Sequence, residues 1–180
     1  MKHQSEIKKI LSGGIGIIPT DTIYGIVCSA FNPDSVEKIY SLKKRDGKKP
    51  LIVLISSIED IRKFGIQPNE SAKKAFDKYW PGPVSIILPC KNKTFFYLHR
   101  GSNSIAFRLP EPKWLINFIK DTGPIVAPSA NLEGQRPAKN IPEAKGYFGD
   151  EVDFYIDQGE LNNPPSKLIS LSDGVENHMR

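Results

Sequence analysis

The chain has 180 residues, of which 39% are hydrophobic and 25% are charged. These fractions are ordinary for a folded protein and exclude a disordered chain or a fibrous repeat. The length predicts a single domain over residues 1–180, because chains of this size bury one core. No apolar run reaches the ~20 residues of a membrane helix and the N-terminus does not resemble a secretory signal, so we expect a cytoplasmic protein.

Basic residues outnumber acidic ones by 25 to 20, which gives a net charge of +5. This balance favours an anionic partner, and a nucleotide, a tRNA or simple solubility would each explain it. Neither Cys28 nor Cys90 has metal-site spacing, and the three histidines are dispersed, so no structural metal site is predicted. Five cations are concentrated within residues 43–49: Lys43, Lys44, Arg45, Lys48 and Lys49.

Hydrophobic periodicity predicts helices and strands interspersed along the whole chain. Asn32 followed by Pro33 is typical of a helix start, and Ser57 opens a second helix with a capping-box pattern. This interspersed order favours an α/β or mixed α+β fold over two separate domains. In chain order, the predictions are a helix over 7–11, a strand over 15–18, a helix from 33, a strand over 51–55, a helix from 57, a helix over 69–79, strands over 84–88 and 104–108, a helix over 113–120, a strand over 125–126, a helix over 142–148, and strands over 153–156 and 168–171.

Small polar side chains follow two of the predicted strands. The first strand leads into Thr20, Asp21 and Thr22, and the strand at 125–126 leads into Ser129 and Asn131. Such groups at strand ends can line the ligand crevice of an α/β sheet and can contact phosphate or ribose oxygens. The same residue types also serve as ordinary turn residues, so the local pattern leaves both interpretations open.

Two basic segments are further candidates. Lys43 and Arg45 could bind a triphosphate, although charge runs are usually solvated surfaces. Ser104 and Arg108 share one face of a predicted strand, where Arg108 could equally be a surface residue. The sequence contains no Walker A loop, dinucleotide fingerprint, nucleophile elbow or kinase motif. An ATP-dependent enzyme with this sequence would therefore bind phosphate in a less common way.

Taken together, six segments resemble, in order, the YrdC family of L-threonylcarbamoyladenylate synthases. The resemblance spans nearly the whole chain and implies a twisted mixed sheet flanked by helices around a large, positively charged cavity. There, threonine, bicarbonate and ATP would give threonylcarbamoyl-AMP and pyrophosphate, with Mg²⁺ assisting the triphosphate. Downstream proteins would transfer the threonylcarbamoyl group to tRNAs that read ANN codons. The matching segments are residues 19–25, 43–45, 79–83, 104–110, 127–131 and 165–166.

The resemblance also implies individual roles. No protein nucleophile or metal ligand is expected, and Lys43 and Arg45 would stabilise charge. The implied threonine site consists of Thr22, Arg108, Ala127 (through its backbone) and Ser166. The implied ATP site consists of Lys43, Arg45, Lys49, Ser104, Ser129, Asn131 and Arg180.

The chain departs from the family pattern at two positions. Lys49 stands where many members have asparagine, and Leu54 stands where some have a histidine near threonine. Because the sequence ends at Arg180, we also expect it to lack the C-terminal domain of longer relatives. The alternative function is that of a non-catalytic RNA-binding paralogue, since a basic concave surface of the same fold could bind RNA through its phosphates.

Overall fold

The structure, a computed structural model, describes residues 3–172 and 175–179. Within these ranges no helix is both long and apolar enough to span a membrane. The helices are α1 (Gln4–Leu11), α2 (Pro33–Lys43), α3 (Glu70–Tyr79), α4 (Phe96–His99), α5 (Lys113–Thr122) and α6 (Ile141–Phe148), with 3₁₀ helices at Ile58–Phe64 and Lys93–Phe95. The strands are β1 (Gly16–Ile18), β2 (Gly25–Ser29), β3 (Ile52–Leu54), β4 (Val84–Pro89), β5 (Ser104–Arg108), β6 (Ile125–Val126), β7 (Phe154–Tyr155), β8 (Lys167–Ser172) and β9 (Val175–His178).

The strands of the described residues form one sheet in the order β7-β1-β2-β6-β3-β5-β4-β8-β9. The pairs β1–β7, β3–β5 and β4–β8 are parallel, whereas the other neighbouring pairs are antiparallel. The sheet is therefore mixed, and helices flank it, which confirms the predicted fold class. Its central strands come from distant parts of the sequence, so loops that are far apart in the chain meet above it.

Each face of the sheet carries its own hydrophobic cluster. Side chains alternate along a strand, so Val53 joins one cluster and its neighbour Leu54 joins the other. The smaller cluster contains Leu54 together with apolar residues of α1 and α5, including Ile10 and Phe118.

Most predicted elements are present, and the residues predicted to cap the starts of two helices do so. The Asn32 side chain accepts a hydrogen bond from the amide of Ser35 at the start of α2. Ser57 and Asp60 form the capping box, but the helix that follows is 3₁₀ rather than α. Cys28 and Cys90 are buried free thiols, as predicted for core residues.

Three segments were not predicted from the sequence: β2, residues 93–99 and β9. Strand β2 is a short apolar run that directly follows the polar turn 20–24, and only its pairing with β1 and β6 identifies it as a strand. Strand β9 pairs with β8 at the edge of the sheet and is made largely of polar residues. Neither segment has the length or the alternating pattern that identifies a strand locally.

The close packing of β1 against β7 gives a stability prediction. A Cβ added at Gly16 would lie 2.1 Å from Cζ of Phe154, so Gly16→Ala overpacks a buried contact and should lower the free energy of unfolding by about 1–3 kcal/mol. Gly146 is the matched control, because a Cβ there meets nothing within 4 Å. As Gly146 lies inside α6, Gly146→Ala should raise stability by about 0.5–1 kcal/mol. Urea unfolding of both variants measures this, and equal effects would contradict the packing described.

Candidate functional site

A cavity of about 360 Å³ is lined by residues of several strands and of the loops that adjoin them. Its volume is in the range of small-molecule sites. Four loops, after β1, after α2, after β6 and before β8, meet around it together with Arg108 at the end of β5. The predicted site residues in its lining are Thr22, Arg45, Arg108, Ala127, Ser129, Asn131 and Ser166.

The turn between β1 and β2 is built by Thr20 and presents Thr22. The Thr20 hydroxyl donates to the carbonyl of Ile23 at 2.7 Å and accepts from the amide of Thr22 at 3.1 Å. The two threonine hydroxyls are 3.0 Å apart. This local network fixes the turn, so the Thr22 hydroxyl is held at the cavity wall instead of rotating freely.

Arg108, at the end of β5, makes a buried ion pair with Asp21. Its Nη2 lies 3.2 Å from Oδ1 of Asp21, and its Nη1 donates to the Thr22 hydroxyl at 3.4 Å. The side chains of Arg108 and Asp21 are only 4% and 5% exposed. Burial raises the pKa of the Asp21 carboxyl, and the Arg108 guanidinium opposes this shift. Asp21 itself lies behind the cavity wall, whereas Arg108 lines the cavity.

Arg45 is held at the cavity by the backbone of its own loop. Its guanidinium donates to the carbonyls of Lys49 and Pro50, at 3.4 and 3.1 Å. The Tyr40 hydroxyl donates to the same Lys49 carbonyl at 2.8 Å, which ties this loop to α2. Two arginines, Arg45 and Arg108, are the charged residues of the lining within the described ranges. The cationic character implied by the resemblance thus rests on two groups, one of which is paired with Asp21.

Lys43 occupies a different position from the one its sequence suggests. Its ammonium is buried and donates to the carbonyl oxygens of Ser129 and Asn131, the latter at 2.6 Å. Burial, with a smaller contribution from Arg45, lowers the pKa of Lys43 to about 7. Lys43 and Arg45 therefore do not present their charges side by side to one ligand. Lys43 instead joins the C-terminal end of α2 to the loop after β6.

Glu133 makes a second connection between these two segments. Its amide donates to the Lys43 carbonyl at 2.8 Å, and its carboxylate accepts from the Asp46 amide at 2.6 Å. The same carboxylate forms an ion pair with Lys49, which is exposed and does not line the cavity. The predicted ATP contact of Lys49 is thus replaced, in this conformation, by a contact within the protein.

The side chain of Asn131, in the loop after β6, is held by the backbone of its own loop. The side-chain amide nitrogen of Asn131 donates to the carbonyls of Leu132 and Gln135, both at 2.8 Å. Its Oδ1 is buried and has no hydrogen-bond partner among the described residues. Buried polar atoms are nearly always paired, so this oxygen is an exception among the described residues.

Ala127 and Ser166 complete the predicted set within the cavity. The amide of Ala127 already donates to the carbonyl of Ile52 at 2.9 Å, so a backbone contact with a ligand would use the Ala127 carbonyl. The Ser166 hydroxyl is 3.1 Å from that of Ser85 on β4, the strand next to β5. Ser166 is therefore held on the same side of the cavity as Arg108.

Among the described residues, Ser104, like Lys43 and Lys49, is a predicted site residue that does not line the cavity. Ser104 lies at the other end of β5, ~13 Å along the strand from Arg108, with its hydroxyl beside that of Ser102. Leu54 is fully buried in the smaller core cluster and does not line the cavity. Arg180 lies outside the described residues.

Sequence reasoning assigned no role to Tyr24 and Gln135, and it named Asp21 only as one of the polar residues that follow the first strand. Asp21 is the buried partner of Arg108, while Tyr24 and Gln135 line the cavity. The Tyr24 hydroxyl donates to the carbonyl of Gly159 at 2.7 Å and so attaches the segment before β8 to the site. Asp21 and Tyr24 lie inside the 19–25 motif, so their place in that motif was the available indication.

Comparison with known proteins agrees with this geometry. The Sua5/YciO/YrdC family model, which carries the description "Telomere recombination", matches residues 8–180. A threonylcarbamoyl-AMP synthase of Marinobacter nauticus is 34% identical over 172 residues, which cover 93% of this chain and 90% of that protein. A threonylcarbamoyl-AMP synthase of Bacillus subtilis is 39% identical over 160 residues, covering 87% of this chain and 46% of that protein.

A solved structure gives the same result for the fold. The crystal structure of P. abyssi Sua5 complexed with L-threonine superposes with a TM-score of 0.91 at 27% identity. The match covers 98% of this chain and 52% of the Sua5 chain, so this chain spans about half the length of that protein.

The contacts of Lys43 predict a local loss of order when they are removed. Lys43→Met keeps most of the side-chain volume but leaves two buried carbonyls without their donor, at a cost on the order of 1–3 kcal/mol for each such group. Amide hydrogen exchange in residues 127–133 should accelerate about tenfold or more, measured by mass spectrometry. Lys48→Met, in the exposed loop after α2, is the control and should leave that exchange unchanged. Equal exchange in the two variants would contradict the connecting role of Lys43.

The lowered pKa of Lys43 also predicts a pH dependence of stability. The folded-state pKa of about 7 lies below the ordinary value of 10.5, so between these values the unfolded chain binds more protons at this residue. Stability from this group therefore rises with pH above about 7 and is flat below it. The difference in unfolding free energy between the wild type and Lys43→Met should shift in favour of the wild type as the pH rises through this window. A difference that stays constant would show that the buried amine keeps an ordinary pKa.

Proposed function

The chain belongs to the Sua5/YciO/YrdC family, and on that premise we propose that it is an L-threonylcarbamoyladenylate synthase, a nucleotidyltransferase that acts on ATP. The observation that carries this proposal is the convergence of two sets of groups in one cavity. Thr22, Arg108 and Ser166 form one set and suit an amino acid. Arg45, Ser129 and Asn131 form the other set and suit a nucleotide.

In the amino-acid subsite, Arg108 would bind the carboxylate of threonine. A guanidinium matches a carboxylate in charge and in planar geometry, and Arg108 is desolvated, which strengthens the attraction. Thr22 and Ser166 place hydroxyl groups nearby that can pair with the threonine hydroxyl. The complex between P. abyssi Sua5 and L-threonine supports this assignment, because the two folds coincide over nearly all of this chain.

In the nucleotide subsite, Arg45 would offset the charge of the triphosphate. Its guanidinium is pre-positioned by two backbone carbonyls, so little side-chain entropy is lost when a phosphate binds. Ser129 and Asn131 line the cavity and would contact the nucleoside part of ATP. Lys43 acts indirectly here, because its ammonium shapes the loop that carries Ser129 and Asn131.

The chemistry requires positioning rather than a protein nucleophile. The neutral amine of threonine adds to bicarbonate, which forms the carbamate N–C bond and releases water. A carbamate oxygen then attacks the α-phosphorus of ATP, and the bond from that phosphorus to the bridging oxygen breaks to release pyrophosphate. Holding the two reactants in one enclosed site and neutralising charge account for catalysis of this kind. A cavity of about 360 Å³ would also limit the access of water to the short-lived carbamate.

Mg²⁺ is proposed as the ion that accompanies ATP. The described residues contain no group of three or more histidine, cysteine or acidic side chains suited to a metal, and no carboxylate lines the cavity. These residues fit an ion held mainly by phosphate oxygens and water, as is common for Mg²⁺. Such an ion would reduce the negative charge of the triphosphate, while Arg45 provides the charge that the protein itself supplies.

The product would be passed to other proteins that place the threonylcarbamoyl group on tRNAs reading ANN codons, which would locate the protein in the cytoplasm. Direct RNA binding is a separate function that the +5 net charge alone would permit. That charge does not explain a buried guanidinium that contacts the Thr22 hydroxyl and the Asp21 carboxylate at a cavity wall. The cavity therefore favours the enzyme over the RNA-binding alternative.

The test is detection of the adenylate. Incubated with L-threonine, bicarbonate, Mg²⁺ and ATP, the protein should produce threonylcarbamoyl-AMP and pyrophosphate, detected by mass spectrometry. Arg108→Gln should weaken threonine binding at least ~30-fold, because truncating one partner of a buried charged contact costs about 2–5 kcal/mol. Arg62→Gln, an exposed position on the Ile58–Phe64 helix, is the control and should behave as the wild type.

A folded wild-type protein that forms no adenylate, yet binds tRNA with a steep dependence on salt, would refute the enzyme and establish the RNA-binding alternative. Adenylate formation with unaltered threonine affinity in Arg108→Gln would instead refute the assignment of the amino-acid subsite.

A further inference from the structure

Asp21 is the one acidic side chain in contact with a charged group of the cavity lining within the described residues, and the reaction proposed above gives it no role. Its Oδ1 lies 3.2 Å from Nη2 of Arg108, yet neither of its oxygens has a well-aligned hydrogen bond. A buried carboxylate normally satisfies several acceptor positions. Here the principal compensation is the charge of one guanidinium.

Arg108 therefore stands between Asp21, behind the cavity wall, and the cavity itself. An amino-acid carboxylate that bound Arg108 from the cavity side would place a second anion on a guanidinium that already has one. The guanidinium would then lie between two carboxylates that repel each other in a desolvated region, although the α-ammonium of the amino acid balances the charge of its own carboxylate.

We propose that Asp21 is the counter-ion of the amino-acid subsite, sharing Arg108 with the substrate carboxylate, so that binding of the amino acid is coupled to uptake of a proton by Asp21. This inference rests on the proposed function, because it requires an amino-acid carboxylate at Arg108. Asp21 would be a positioning residue rather than a catalytic one, since it acts on the substrate through Arg108.

The charged groups around Asp21 act in opposite directions, and the backbone amides of Asp21 and Glu111 add a weaker stabilisation of the ionised form. From β5, Arg108 faces it and stabilises the ionised form. From the loop after β5, Glu111 faces it and destabilises the ionised form. Neighbours in its own turn, Thr20 and Thr22, are neutral hydroxyls that bond to one another. Burial is the largest influence and already raises the Asp21 pKa before any ligand binds.

The sign of the coupling follows from these charges. A carboxylate that arrives at Arg108 raises the pKa of Asp21 further, so the complex binds more protons than the free protein in the pH window between the two pKa values. The affinity for the amino acid must therefore fall as the pH rises through that window. Each unit by which binding shifts the pKa of Asp21 changes the affinity between the acidic and alkaline limits by about tenfold.

Calorimetric titration with L-threonine tests this directly. Repeating it in buffers of different ionisation enthalpy, from mildly acidic to neutral pH, measures the protons taken up. The wild type should show net uptake and a dissociation constant that increases up to about tenfold as the pH rises. Asp21→Asn keeps the shape of the side chain but cannot titrate, so this variant should take up no proton at residue 21. Its dissociation constant for threonine should be the same at every pH tested. Asp77→Asn, on the exposed side of α3, is the matched control and should retain the wild-type dependence.

Three outcomes separate the possibilities. Threonine binding by the wild type without proton uptake, or an unchanged pH dependence in Asp21→Asn, overturns the role of Asp21 and leaves the proposed function intact. Failure of the folded wild type to bind threonine at any pH overturns the proposed function and this inference with it. The absence of proton uptake by the wild type would overturn the inference without reference to any variant, so the inference can be refuted even if Asp21→Asn does not fold.

Discussion

A buried ammonium group connects the two halves of this site. Lys43 ends α2, and Ser129 and Asn131 follow β6, a strand more than eighty residues later in the chain. Hydrogen bonds from one charged group to two carbonyls are stronger than neutral ones, because the surrounding protein screens the charge poorly. The loop that carries the nucleotide-facing groups is thus fixed relative to α2 before any ligand binds. Pre-organisation of this kind lowers the entropy lost on binding.

The same interaction explains why the basic cluster is only partly available to a ligand. Of its five cations, Lys43 is consumed by the fold, Lys49 pairs with Glu133, and Arg45 alone lines the cavity. Of the five cations in the sequence cluster, one arginine therefore faces the cavity and one buried lysine is bonded within the protein. Lys44 and Lys48 are exposed to solvent. The positive charge that this cluster offers to a phosphate in the cavity is therefore carried by Arg45, which two backbone carbonyls hold in place.

Electrostatic balance also distinguishes the two subsites. Arg108 is paired with a carboxylate in the protein, whereas Arg45 is held by neutral carbonyls and keeps its full charge toward the cavity. The amino-acid side thus has a nearly neutral pair, and the nucleotide side has a net positive charge. This difference matches the proposed substrates, since threonine carries one carboxylate and ATP carries several negative charges.

The sequence by itself determined the class of fold and most of the elements, because helix periodicity, Asn32 and Ser57 at helix starts, and short apolar runs are local properties. The sequence also identified seven residues that meet in the cavity, because their motifs lie at strand ends and in the loops beside them. It could not show that Lys43 points away from Arg45, that Ser104 lies at the far end of its strand, or that Asp21 sits behind Arg108. Those facts depend on which strands are neighbours and on which groups are buried together. Burial and pairing are set by contacts between distant segments, so only the tertiary structure decided which charges face a ligand and which hold the protein together.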